Sequence, residues 1–142
     1  MNKIEFDSGV KEYEIGSGVL RFNPSDYNLF HRFLEAADKI QQVEEELVAG
    51  GTGVTSGVDI VRLMSEADKK AKDLLNDVFG GENDFHKILG GVNLMSVAGN
   101  GERVITNLFH ALTPIITEGV ERCVSATVAE ARAARDARRA EQ

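Results

Sequence analysis

The chain has 142 residues, of which 42% are hydrophobic and 27% charged, and a formal charge of −7 at neutral pH. That length lets one domain bury roughly two-thirds of its unfolded surface and is short for two, and with only two prolines the chain falls outside the proline-rich and disordered classes. A negative field repels phosphate backbones, so no nucleic-acid binding is expected, while basic partners are easier to accommodate.

Residues 1–22 read as a β segment. Apolar positions alternate at Ile4 and Phe6, Tyr13 and Ile15, and Leu20 and Phe22, with turn formers at Ser8-Gly9 and Gly16-Ser17-Gly18. A hairpin or three short strands fits this pattern. Such a unit is marginal alone, so it must lie on helices or on another chain's strands, and an unpaired edge would invite a partner.

Asn23-Pro24-Ser25-Asp26 ends the strands, with Pro24 suited to a first helical turn and Asn23 or Ser25 able to cap it. A first helix is predicted from near residue 24. Tyr27, Phe30, Phe33, Leu34, Ala37, Ile40, Val43 and Leu47 recur every three or four residues along it. It should stop at Ala49-Gly50-Gly51-Thr52-Gly53, a stretch that also reads as a hinge. A second helix starts at Ser56 to Asp59, carries Ile60, Val61, Met64, Ala67, Ala71, Leu74, Leu75 and Val78, and closes at Gly80-Gly81.

A short third helix, Asn83 to Leu89, is closed by Gly90-Gly91, and residues 92–97 read equally as loop or as one more turn. From Asn100 a long helix follows, with apolar positions from Val104 to Val128, where Pro114 should introduce a bend. Residues 130–142 are rich in alanine and arginine and hold no large apolar side chain. The fold class is therefore mainly α: a short N-terminal β-hairpin or strands, then four helices, the last long and bent by proline. Residues 1–129 form one domain (β segment 1–22, helical part 23–129), followed by a helical or frayed tail, 130–142.

No residue pattern points to catalysis. His31, His86 and His110 each follow a phenylalanine within a helical pattern and match no metal-ligand spacing. Gly99-Asn100-Gly101-Glu102-Arg103 lacks the Lys-Ser or Lys-Thr of a phosphate loop, and Glu102 would repel an anion there. Glu44-Glu45-Glu46, and Glu118 with Glu121, read as solvated helix acids. Ser125 and Thr127 have no triad partners at suggestive spacing. No enzyme activity, cofactor or metal is expected. The single Cys123 has no partner for an intramolecular disulfide, and its apolar helical face predicts a buried thiol in a reducing compartment. The first residues hold no apolar block of signal-peptide length and no later run reaches the ~20 apolar residues of a membrane span, so a cytosolic chain away from membranes is expected.

The positions favoured for partner contact are Phe79, Phe85, Ile88 and Leu89, because a short helix between two glycine pairs can present its apolar face in more than one way. Core packing is the competing reading. Arg132, Arg135, Arg138 and Arg139 are a second set, either a solvated helix end or a docking segment.

Asp77-Val78-Phe79-Gly80-Gly81, then Phe85-His86-Lys87-Ile88-Leu89-Gly90-Gly91-Val92-Asn93 and a long closing helix, resembles the small tail assembly chaperones of long-tailed bacteriophages. The short β segment followed by a long acidic helix from Tyr27 to Val48 is similar to the same proteins from phages of Gram-positive hosts. The resemblance implies a non-enzymatic, oligomeric protein of the host cytoplasm. It would coat the tape measure protein, help recruit tail tube subunits, and be left out of the mature virion. It brings no catalytic residue. The glycine-rich break at residues 50–57 departs from a rigid helical hairpin. Outside this family, the pattern fits a structural virion component, such as a tail or connector subunit, or a small helical adaptor. The few strands weigh against a tube subunit, which is built from sheets.

Overall fold

A computed structural model describes residues 1–54 and 56–141. Two strands, β1 (Lys11–Ile15) and β2 (Gly18–Phe22), are followed by helices α1 (Tyr27–Gly51), α2 (Gly57–Phe79), α3 (Phe85–Ile88) and α4 (Val104–Ala140). The fold is mainly helical behind an N-terminal hairpin, with a long last helix.

The hairpin is antiparallel, pairing Tyr13 with Leu20 and Glu12 with Arg21. Tyr13, Ile15, Leu20 and Phe22 face the helices, whereas Glu12, Glu14, Val19 and Arg21 face solvent. The alternation at Ile4 and Phe6 does not become a third strand. Residues 1–8 form an exposed arm, because a strand exists only beside a partner ladder and among the described residues none pairs with this segment as a strand.

Helix α1 starts three residues later than its sequence suggests. Its cap is Asp26, whose side chain accepts from the Asn28 amide at 2.9 Å, while Asn23 is diverted into the preceding turn, accepting from the Ser25 amide at 2.9 Å and donating to the Ser8 carbonyl at 3.1 Å. Pro24 consequently lies before the helix. At the other end Gly50 and Gly51 are the last helical residues rather than the break after it.

Helices α1 and α2 form an antiparallel hairpin. Leu29, Phe33, Ala36, Ile40 and Val43 of α1 are buried, and the small Ala67 and Ala71, one turn apart on α2, let the two backbones approach. Arg32 ties the ends together, its Nε donating to the Val78 carbonyl at 2.9 Å. The core continues through an aromatic chain in which Tyr13 stacks on Phe22 at 4.9 Å, Phe22 meets Phe79 edge-on at 5.0 Å and Phe79 meets Phe85 at 5.5 Å.

Residues 92–97 are a bonded turn, not another helical turn. Asp68 of α2 accepts the Leu94 amide at 2.7 Å, and the Leu94 and Ser96 carbonyls accept the first amides of α4, from Ile105 and Val104, each at 2.9 Å. Helix α4 then packs across α1, with Phe109 on Phe33 at 5.1 Å and Gly119 against the Pro24 backbone. It continues without interruption through Pro114.

Candidate partner-binding surface

The segment between the two glycine pairs is placed in the core. Phe79, Phe85 and Ile88 are buried, Phe85 with none of its surface exposed, and Leu89 is half-buried. Their apolar faces are spent on Phe22, on each other and on β2. The paired glycines close turns: Gly80, Gly81, Gly90 and Gly91 all take positive φ, between 58° and 86°, which a side chain would strain. Asp84 caps α3, accepting from the His86 amide at 3.1 Å, and Asn76 braces the same turn by accepting from the Phe85 amide at 2.7 Å. A carboxylate this close to α2 loses some hydration, which alone would raise its pKa. The His86 amide, the Asn76 side chain and the positive charges of His86 and Lys87 outweigh that and hold Asp84 below its ordinary value.

The arginine set sits elsewhere. From Val124 to Glu141 every residue of α4 and its cap is exposed, a stretch about 25 Å long at 1.5 Å per residue, whose Thr127 still reaches Tyr27 of α1. The last side chains of the body to meet α4 belong to its Pro24 and Tyr27 neighbourhood. Tyr27's phenol is held above its ordinary value, first by its side-chain hydrogen bond with Cys123 and then by partial burial. Cys123 is half-buried there, not the fully enclosed thiol its apolar stripe suggests.

Beyond that point Val124, Val128, Arg132, Arg135 and Arg139 recur at helical spacing along one face, with Arg138 at its margin and Glu130 and Glu141 opposite. Val124 and Val128 remain 45% and 41% exposed. Sequence reading placed both valines in the core stripe. A signal was present: they lie off the line through Ile105, Leu112, Ile116 and Gly119, the buried residues of α4. The arrangement offers an apolar patch continued by guanidinium groups, suited to lie along another helix that carries apolar and acidic residues.

Two histidines take part in surface pairs. His86 meets Asp73 at 2.8 Å and His31 meets Glu35 at 3.0 Å. A shallow groove between α1 and the start of α4 is lined by Gln41, Glu44, Glu45, Val48, Ala49 and Arg103. Among the described residues no group of three or more histidine, cysteine or acidic side chains is placed to hold a metal ion, and no helix is long and apolar enough to cross a membrane. Compared with family models, with curated proteins and with solved structures, the chain matches none of them.

Proposed function

We propose that this protein is a tail assembly chaperone of a long-tailed bacteriophage. It binds the tape measure protein in the host cytoplasm, helps recruit tail tube subunits, acts without catalysis and is released before the virion is complete. The observation that carries this reading is the exposed second half of α4, where Val124 and Val128 keep 45% and 41% of their surface open beside an arginine row. A tape measure protein is a long, largely helical chain with apolar surface that must be kept in solution. A projecting amphipathic helix attached to an acidic body supplies the contact and the solubility together. The Phe-Gly-Gly and Ile-Leu-Gly-Gly-Val-Asn runs support the same family through the turns they build. The binding face proposed here lies on α4 rather than on Phe79, Phe85, Ile88 and Leu89.

Co-expression tests it. A tape measure segment from the same phage should shift into the soluble fraction with the wild-type chain and remain insoluble with a Val124→Asp, Val128→Asp double variant of unchanged circular dichroism. A segment that stays equally insoluble with and without the wild-type chain defeats the reading. Recovery of the chain as a stoichiometric component of purified virions would favour a structural tail or connector subunit instead.

A further inference from the structure

The hairpin has one closed edge and one open one. In an antiparallel pair, residues alternate between exchanging their main-chain hydrogen bonds and turning them outward. Arg21 turns both of its groups outward: its amide donates to Asn83 Oδ1 at 2.9 Å and its carbonyl accepts from Asn83 Nδ2 at 2.7 Å. Glu12, paired with Arg21, is therefore outward-facing too, and by alternation so is Glu14. On the β2 side Asn83 stands where a neighbouring strand would. On the β1 side no described residue bonds the Glu12 or Glu14 main chain.

Directly upstream lies a strand pattern without a ladder. Ile4 is 87% and Phe6 78% exposed, and they alternate with Lys3, Glu5 and Asp7. The arm is held away from its own β1 edge, because Asn23 Nδ2 donates to the Ser8 carbonyl at 3.1 Å and keeps residues 8 and 9 in line with the end of β2. Gly9 is packed so closely there that a Cβ would lie 2.9 Å from the Asn23 amide nitrogen. Its φ of 77° shifts the alternation by one residue, as a bulge does. Once the arm is extended as a strand, apolar side chains at even positions before it would thus share a face with Tyr13 and Ile15 after it.

We propose that residues 3–7 of one copy add as an antiparallel strand to the β1 edge of a second copy, reciprocally, about a two-fold axis close to Ser8 and Gly9. With Ile4 opposite Tyr13, Lys3 falls opposite Glu14, an attractive pair. Glu5 falls opposite Glu12, whose charge Arg21 already offsets at 3.0 Å. Burying two copies of Phe6 and Ile4, with a phenylalanine alone covering about 150–250 Å², together with the surface they cover on the two β1 edges brings the exchanged total to on the order of 1,200 Å², the lower end for a stable interface. Both α4 helices stay free, so this goes beyond tape measure binding and does not depend on it.

Sedimentation velocity of the full chain across micromolar concentrations tests the exchange. The wild type should dimerise. An Ile4→Ser, Phe6→Ser arm variant, which touches no core contact, should weaken the dimer by on the order of a hundredfold or more. Glu14→Pro removes an outward amide that β2 does not use, so it should weaken the dimer comparably while leaving the helical circular dichroism intact. Mixing the two variants should produce a heterodimer, because one intact arm then meets one intact edge. A wild type that is monomeric throughout, or an arm variant that dimerises as tightly as wild type, overturns the proposal.

Discussion

Asn83 stands in for a strand beside Arg21, accepting from its amide and donating to its carbonyl with the two ends of one side-chain amide. Asn83 is itself buried and also reaches the Phe79 carbonyl at 3.4 Å. Asn83→Ala leaves the outward groups of β2 without these partners at the seam between hairpin and helices. A loss of about 1–3 kcal/mol is expected in urea unfolding. Asn83→Asp, which sets a carboxylate oxygen against the Arg21 and Phe79 carbonyls, should cost at least as much at neutral pH.

Two glycine substitutions should move stability in opposite directions. Gly119 lies where a Cβ would collide with the Pro24 carbonyl, so Gly119→Ala forces α4 off the body and costs about 1–3 kcal/mol despite alanine's better helix propensity. Gly50 is helical, and a Cβ there would meet only Leu63 at an ordinary 3.5 Å. Gly50→Ala should therefore stabilise by roughly 0.5–1 kcal/mol. Thermal unfolding of both variants checks the pair, and a stabilised Gly50→Ala that retains function would show that no hinge is needed at that point.

Lys72 lies in the core with its side chain only 4% exposed, bonded to Asp68 at 2.9 Å, and Asp68 also receives the Leu94 amide. Removing the acid strands a buried cation, so Asp68→Ala should cost about 3–5 kcal/mol. Lys72→Met should cost clearly less, because Asp68 keeps the Leu94 amide and some contact with water. Equal losses in denaturant unfolding would contradict this division.

Asp84 gives the acid limb of stability a defined sign. Its folded pKa lies below the unfolded value, so the unfolded state takes up its proton first as pH falls. The stabilisation is complete above the unfolded value of about 3.9 and disappears as pH drops through the folded one. Asp84→Asn keeps a capping oxygen but cannot titrate. Its unfolding midpoint should fall below wild type at pH 6 and converge with it toward pH 3.

Ending the chain after Ala129 should leave the stability of the body within about 0.5 kcal/mol, since every residue removed that the structure describes is exposed. The same truncation removes the arginine row. An unchanged melting temperature together with lost partner binding would assign those residues to recognition rather than folding.

The elements were legible because periodicity is local. Each helix stripe repeats the 3.6-residue turn, and the turn glycines sit where positive φ is needed. Helix α1 started late because Asp26 outcompeted Asn23 for the cap once Asn23 was engaged by Ser8. Burial of the apolar faces depended on distant segments for a related reason. Phe79 and Phe85 look like an apolar face waiting for cover, and the cover is Phe22 of a hairpin almost sixty residues earlier, while Val124 and Val128 look like core and remain 45% and 41% exposed.

The amino-acid order on its own determined the acidic character, the helix-rich class, the hairpin and the places where the chain must turn, because these depend on neighbours within a few residues. Tertiary packing alone decided which apolar faces are consumed and which stay open. Whether a side chain is buried depends on what other segments bring against it. In this protein those segments reach Phe85 and stop short of Ile4, Phe6, Val124 and Val128.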